Sequence, residues 1–202
     1  MIIRVCILAI ALVALSGCAS SPPRNTQDLC AIFKEKPQWY KQAKRSAKAW
    51  GGTLYVPMAI MHQESRFRAK AKPPMQYFLG IIPTGRASNA YGYSQALKST
   101  WSEYQKDTGS WFKDRDDFAD SYDFIQWYTN KTLLRNGVAK TNAYAQYLNY
   151  HEGHGGYARG TYKSKQWLIN VAQKVAKRSQ NYSTQLSQCQ DELDKRLRSW
   201  FF

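Results

Sequence analysis

Residues 57–67 place a carboxylic acid in an apolar setting that favours proton-transfer chemistry. The helical neighbours of Glu64 one turn earlier are Ile60 and Met61, and Pro57 suits the first position of this helix. Hydrocarbon beside the carboxyl disfavours the carboxylate, so we expect the pKa of Glu64 to rise. A carboxyl that is still protonated near neutral pH can act as a general acid. The simpler alternative is a glutamate at a helix end that points into water.

A second polar cluster contains His151, Glu152 and His154 within a glycine-rich stretch that we interpret as a turn. Its spacing differs from His-Glu-x-x-His, in which one helix face presents both imidazoles to a metal ion. We therefore expect no metal site here and no other cofactor.

The first 17 residues have the pattern of a secretory signal peptide, in which Arg4 precedes a short apolar run. Residues 15–18, Leu-Ser-Gly-Cys, resemble the bacterial lipobox, which implies a thioether-linked lipid on Cys18 and cleavage before it. Ala19 follows, and the usual sorting pattern then implies a lipid-anchored protein on the periplasmic face of the outer membrane. An ordinary signal peptide with a chance cysteine is the alternative.

The formal net charge of the 202-residue chain is +15, and loss of Arg4 with the signal peptide lowers it to +14. A cytosolic protein of this charge would be a nucleic-acid candidate. The lipobox favours anionic cell-wall polymers or lipid head groups instead, so we expect no nucleic-acid partner.

Two cysteines remain once Cys6 leaves with the signal peptide and Cys18 carries the lipid. Cys30 and Cys189 would then lie in an oxidising compartment, and we predict that they form a disulfide. Such a bridge would connect the start of the domain to its last helix.

Apolar residues recur mostly at helical spacing, which predicts a mainly α fold in one domain with few or no strands. We assign residues 18–28 to a lipidated N-terminus and flexible tether, 29–180 to the domain, and 181–202 to a separate C-terminal helix packed on it or appended to it. A long helix that starts after three aspartates and ends at Gly137 is the predicted central helix. Residues 68–91 are rich in Pro and Gly yet carry apolar side chains. We interpret them as a long loop with a short hairpin over a groove, or as a packed structural excursion.

Three motifs in order resemble those of lytic transglycosylases of the soluble-lytic-transglycosylase type, relatives of goose-type lysozyme. Residues 64–67 match Glu-Ser-x-Phe, residues 92–95 correspond to Gly-Leu-Met-Gln, and residues 149–155 correspond to Ala-Tyr-Asn-Ala-Gly-x-Gly. The second motif keeps only Gly92 and Gln95, and His151 stands where the family usually has Asn. The likeness spans about residues 50–157 and implies a lysozyme-like single domain with a groove.

The resemblance implies an enzyme that cleaves the β-1,4 bond between N-acetylmuramic acid and N-acetylglucosamine in peptidoglycan strands. It assigns Glu64 as an acid and then a base, giving a 1,6-anhydro-muramoyl end without consuming water. The substrate-binding residues that it implies are Ser65, Gly92, Gln95, Tyr150, His151 and Gly153.

Two other functions stay open. Hydrolysis of the same bond usually needs a second carboxylate, for which Glu152 is the nearest candidate. A non-catalytic wall-binding or scaffold lipoprotein is the alternative outside enzymology, because the second and third motifs are altered.

Overall fold

The computed structural model of the chain describes residues 21–199, and these are mainly helical, as predicted. The helices are α1 Leu29–Glu35, α2 Pro37–Trp50, α3 Tyr55–Ser65, α4 Lys98–Thr108, α5 Phe118–Asn136, α6 Ala143–Arg159 and α7 Gln166–Ser199. A 3₁₀ turn, Thr161–Ser164, separates α6 from α7, and strands β1 Met75–Phe78 and β2 Ile82–Arg86 form an antiparallel hairpin. The predicted signal peptide, Cys18 and the aromatic residues 200–202 lie outside the described part of the chain.

The central helix is α5, whose ends follow the sequence signals closely. Asp117 caps its N-terminus by accepting a hydrogen bond from the backbone of Asp120, and Gly137 ends it in the left-handed conformation. Both faces of α5 contribute buried residues, and the helix packs against α2, α3 and α6. The core is rich in aromatic rings, such as Trp39 and Phe118, which stack with centroids 4.0 Å apart.

The last 34 helical residues form one uninterrupted helix, α7, rather than the two that we predicted. Its buried positions alternate in steps of four and three residues, as on a helix that packs along its whole length. They are Leu168, Ala172, Val175, Ser179, Tyr182, Leu186, Cys189 and Leu193. Ser179 and Tyr182 continue the stripe across the expected break. The proposed boundary at residues 180 and 181 therefore falls inside a helix that belongs to the single core.

The segment before α1 is attached to α7, which corrects the prediction of a flexible tether as far as residue 28. The backbone carbonyl of Thr26 accepts a hydrogen bond from Tyr182, and that of Gln27 accepts one from Gln185. A disulfide joins Cys30 to Cys189, 159 residues apart in the sequence. These links hold the start of the domain against its last helix.

Helix α3 begins at Tyr55, two residues before the predicted start. Pro57 is tolerated there because amide groups in the first helical turn have no acceptor within the helix. The middle of α3 is fully buried, with Met58, Ala59, Ile60 and Met61 all 0% exposed. The helix that carries Glu64 is therefore a fixed part of the core.

The hairpin confirms the expected short strands within residues 68–91, but the large apolar side chains whose exposure the structure describes there do not pack inside the fold. Leu79 and Ile81 at the turn are each 77% exposed, and Tyr77 is 55% exposed. This exposure argues against a packed structural excursion, and coverage of a groove stays a prediction. Within residues 21–199 no helix is both long and apolar enough to cross a membrane.

Candidate active site

Glu64 lies in the last turn of α3, where its side chain meets α6. The residue keeps partial exposure, but protein atoms surround its carboxyl, and this burial raises the pKa of Glu64 from 4.5 to about 7. A hydrogen bond from the Tyr147 hydroxyl acts in the opposite direction, because it stabilises the carboxylate. Near neutral pH this carboxyl can both donate and accept a proton.

Two tyrosines of α6, Tyr147 and Tyr150, line the Glu64 side of the site. They are three residues apart and therefore share a helix face. The Tyr147 hydroxyl donates to Glu64, while the Tyr150 hydroxyl donates to the backbone carbonyl of Ser94 at 2.6 Å. Burial is the main reason that both phenol pKa values are raised, and the nearby charge of Glu64 raises them further. Both tyrosines thus remain neutral hydrogen-bond donors.

Sequence reasoning did not assign Tyr147 to the site. In the sequence it is one of several large residues at helical spacing, which is typical of a core position, and it is 4% exposed. The available signal was its position one turn before Tyr150, which the third motif had marked.

The loop of the second motif brings Ser94 to Tyr150 and depends on Gly92. Gly92 has φ +80°, and a Cβ there would lie 1.8 Å from the backbone oxygen of Arg115. The backbone amide of Tyr93 donates to this same oxygen at 3.1 Å. The close approach that requires glycine is therefore to the loop before α5. Contact of Gly92 with a glycan stays a prediction.

Gln95 has a positive φ of 50°, which is uncommon for a residue with a side chain. Its amide nitrogen donates to the backbone oxygens of Ala71 and Gly92, each at 2.9 Å. These bonds hold the loop in shape. Contact of Gln95 with a substrate stays a prediction.

Ser65 does not face the site in this conformation. Its side chain is buried, the residue is only 1% exposed, and its hydroxyl donates to the backbone oxygen of Met61 at 3.2 Å. The Ser65 hydroxyl thus bonds within α3, in place of the substrate contact that the resemblance implies.

The stretch around His151 and Glu152 is helical, which corrects our interpretation of it as a turn. Gly153 alone departs from helical geometry, with φ +73° and ψ 158°, and α6 continues past this kink to Arg159. Glycine populates such positive φ values readily, so one glycine bends the helix without ending it. His151 precedes the kink and lies exposed beside Trp167, with ring centroids 5.1 Å apart.

Glu152 does not have the surroundings of a second catalytic carboxylate. Its side chain is 4% exposed and accepts bonds from Lys165 at 2.8 Å and from Thr161. Hydrogen bonds from these two residues are the main reason that the pKa of Glu152 falls to about 2. Its oxygens are occupied by structural partners, which leaves the hydrolytic alternative without its candidate base.

His154 belongs to different surroundings from His151. Its Nε2 pairs with the Thr132 hydroxyl at 3.0 Å, and its ring stacks on Tyr128. Burial lowers the pKa of His154 to about 4, so it is neutral at physiological pH. Across residues 21–199, no three His, Cys, Asp or Glu side chains are grouped to hold a metal ion.

A family model described as "Transglycosylase SLT domain" matches residues 6–189, which is most of the chain. The chain belongs to this family. No curated protein and no solved structure matched the chain in the corresponding comparisons. The family comprises lytic transglycosylases that act on peptidoglycan, and the mainly helical structure is consistent with a lysozyme-like SLT domain.

Within this SLT domain, one cluster unites parts of all three motifs. Glu64 comes from the first motif, the Ser94 carbonyl from the second, and Tyr150 from the third. Tyr147 adds a donor that the motifs do not contain. The cluster therefore gathers an acid of raised pKa and neutral phenols between α3, α6 and the loop before α4.

Proposed function

We propose that this SLT domain cleaves the β-1,4 bond between N-acetylmuramic acid and N-acetylglucosamine in peptidoglycan without consuming water. The observation that supports the proposal is the burial of the Glu64 carboxyl, which raises its pKa to about 7 while the Tyr147 hydroxyl donates a hydrogen bond to it. At neutral pH about half of such molecules hold the proton that the leaving sugar needs.

In the proposed reaction, protonated Glu64 gives its proton to the bridging oxygen as the bond to C1 of the muramic acid breaks. The N-acetyl oxygen of the same sugar stabilises the cationic carbon. Glu64, now a carboxylate, removes the proton from the C6 hydroxyl, and the C6 oxygen bonds to C1. The products are a 1,6-anhydro-muramoyl end and a free N-acetylglucosamine end, and Glu64 has recovered its proton.

Tyr147 supports the second half of this cycle. A hydrogen bond to the charged carboxylate stabilises the form of Glu64 that exists between the two proton transfers. Tyr150 is anchored on Ser94 and holds the second-motif loop beside α6. We therefore propose that Tyr147 positions the acid and that Tyr150 positions the loop carrying Gln95.

The decisive experiment is product analysis after digestion of purified peptidoglycan. The wild type is expected to release anhydro-muropeptides, whereas hydrolysis would give products heavier by one water, about 18 Da. A Glu64→Gln variant is expected to bind the wall but release neither product. Continued release of anhydro-muropeptides by that variant would refute the assignment of Glu64. Wall binding without turnover by the wild type would favour the non-catalytic alternative.

We further propose that the protein is lipid-anchored through Cys18 and faces the periplasm from the outer membrane. The disulfide between Cys30 and Cys189 supports an oxidising compartment. Metabolic labelling with a fatty-acid analogue tests the anchor: the wild type should incorporate the label, and a Cys18→Ala variant should not. Membrane fractionation then tests the outer-membrane location.

A further inference from the structure

A positively charged cleft of about 530 Å³ lies between α3, α7 and the segment before α1. Its wall carries four basic side chains and no acidic one. The residues that matter here are Gln63, Arg66, Lys174, Lys177, Arg178 and Asn181.

The four basic groups of the cleft have no acidic partner among the residues that the structure describes. Other cations of the chain do have one: Lys113 pairs with Asp123 at 2.7 Å, and Lys165 pairs with Glu152 at 2.8 Å. In the cleft, Arg178 donates instead to the neutral amide of Gln27 at 2.6 Å. Like charges that share a concave surface repel one another, and a bound anion would relieve that repulsion.

His62 in the same wall reflects the local positive field. It is 6% exposed, and its Nε2 lies 3.3 Å from the Thr26 hydroxyl. Burial is the main cause that lowers the pKa of His62 to about 4, and the charges of Arg178 and Arg66 lower it further. His62 is therefore a neutral polar group, and the charge of the cleft comes from its arginines and lysines.

The cleft and the candidate active site share helix α3. Gln63 and Arg66 flank Glu64 in the sequence, and Gln63 projects about 100° around the helix from it. An occupant of the cleft would thus contact the helix that carries the acid, on a different face from Glu64 itself.

Helix α7 gives the second connection. Trp167, Val171, Lys174, Arg178 and Asn181 follow in steps of four and three residues, so they share one face. Trp167 at the start of this face is 56% exposed and contacts His151, which lies near Tyr147. One surface therefore leads from Tyr147, the partner of Glu64, past the exposed rings of His151 and Trp167 into the basic cleft.

We propose that this cleft binds the carboxylates of the stem peptide that peptidoglycan carries on its muramic acid. The inference rests on the proposed function and names the form of substrate, a peptide-bearing glycan rather than a bare one. A stem peptide offers several carboxylates joined by amides, which suit four cations beside the amides of Gln63 and Asn181. Because the peptide is covalently linked to the sugar, its capture raises the effective concentration of the glycan at Glu64.

The test compares cleavage of two substrates, peptide-bearing glycan strands and the same strands stripped of peptide by an amidase. The variant is Lys174→Gln/Lys177→Gln, which changes two side chains on the cleft side of α7. The matched control, Lys48→Gln/Lys106→Gln, removes the same charge from exposed positions on α2 and α4. The cleft variant should lose about tenfold in kcat/KM on peptide-bearing strands, mainly through KM, and stay within about twofold on stripped strands. The control should resemble the wild type on both.

Equal losses of the cleft variant on both substrates, or no loss on the peptide-bearing one, would overturn the proposal. If the wild type cleaves neither substrate, the proposed function fails, and a binding measurement isolates the cleft. In that arm, Glu64→Gln protein is titrated with a disaccharide-tetrapeptide and with the bare disaccharide. The peptide form should bind more tightly than the bare form, and this difference should disappear when Lys174→Gln/Lys177→Gln is added. That result would support peptide binding by the cleft even though the proposed function had failed. Equal binding of the two forms refutes it.

A phosphate group is the competing anion, either on a wall polymer or on a lipid. Inorganic phosphate and phosphatidylglycerol vesicles therefore serve as additional probes of the Glu64→Gln protein. If either binds with dependence on Lys174 and Lys177 while the disaccharide-tetrapeptide does not, the ligand is a phosphate and the proposal is wrong. If the tetrapeptide alone shows this dependence, the proposal stands.

Discussion

Two opposing effects determine the protonation of Glu64. Removal of its carboxyl from water favours the neutral acid, and the bond from Tyr147 favours the carboxylate. Their balance gives a pKa of about 7, which suits a single group that must first donate a proton and then remove one. A fully apolar pocket would hold the proton too tightly, whereas a fully exposed site would lose it near pH 4.5.

The first prediction concerns the pH dependence of peptidoglycan cleavage. Activity that requires protonated Glu64 should be high below pH 7 and fall above it. In a Tyr147→Phe variant the carboxylate loses its hydrogen bond, so the pKa of Glu64 should rise further. The alkaline limb should then move upward by about one to two pH units, because a bond to a charged group contributes roughly 1.5–3 kcal/mol. Rates across a pH series for both proteins measure the shift.

Tyr144→Phe is the control for this prediction, since Tyr144 lies one turn earlier on α6 and packs against the core. It should leave the alkaline limb in place. An unchanged limb in Tyr147→Phe, with only a lower rate, would show that Tyr147 supports the fold and does not tune the acid.

The second prediction uses stability rather than activity. The pKa of Glu64 rises on folding, so the native state loses stability as pH increases from about 4.5 to 7 and does not regain it above that range. Glu64→Gln cannot ionise and escapes this loss. At pH 8 the variant should be more stable than the wild type by up to roughly 3 kcal/mol, with little difference at pH 4. Urea unfolding at both pH values tests this, and an equal difference at the two would show that Glu64 has an ordinary pKa.

The sequence predicted the acid because its neighbours lie close in the chain. Ile60 and Met61 are one helical turn away, and both are 0% exposed. It could not predict the donor, because Tyr147 reaches Glu64 only through the packing of α6 against α3. Gly92 was recognised from its motif, but its reason for being glycine is a carbonyl 23 residues later, that of Arg115.

At the level of helices and loops, two glycines with nearly equal φ differ in what surrounds them. Gly92 has φ +80°, and a Cβ on it would meet the carbonyl of Arg115. Gly153 has φ +73°, and a Cβ on it would meet nothing within 4 Å. The first glycine is required by both its backbone and its neighbour, and the second by its backbone alone.

The third prediction follows from this contrast between Gly92 and Gly153. Gly153→Ala should cost only the strain of a backbone region that glycine alone adopts readily, about 1–3 kcal/mol. Gly92→Ala adds a clash with backbone, so it should cost at least about 2 kcal/mol more and separate the second-motif loop from α5. Chemical denaturation of the two variants gives the comparison. Equal destabilisation would mean that the loop at Arg115 moves aside freely.

Local sequence signals predicted most helix ends. Whether a helix continues past a glycine or a polar residue depended on packing. Gly51, Gly109 and Gly137 each end a helix in the left-handed conformation, which glycine favours, and Gly137 is the end that we predicted. The unbroken α7 was missed because polar Ser179 lies in its buried stripe, where small size matters more than polarity. The kink of α6 was interpreted as a turn because several glycines follow one another, although only Gly153 among residues 151–157 leaves the helical region.

At the level of the entire molecule, α7 connects the start of the SLT domain to the helices of its core. This helix packs against α1, α2, α3 and α6, so it touches both helices that carry Glu64 and its tyrosine partners. The disulfide fixes its C-terminal half to α1, and the segment at Thr26 and Gln27 is bonded to its middle. The basic cleft lies on the same helix, between the fixed segment and α3. If the packing of α7 loosens, the positions of both Glu64 and the cleft residues should therefore be disturbed.

The fourth prediction tests this connection by removing the disulfide with a Cys30→Ala/Cys189→Ala variant. The bridge joins residues 159 apart, and on the entropic account its loss should destabilise the fold by about 4–5 kcal/mol. Unfolding in urea should show that loss for the variant, and reductant should produce it in the wild type but not in the variant. Because the bridge is at the end of α7 opposite to Trp167, the folded variant should cleave peptidoglycan near the wild-type rate at low temperature. On heating, it should lose activity at a lower temperature than the wild type. A variant with unchanged unfolding would show that core packing along α7 holds the two ends together without the bridge.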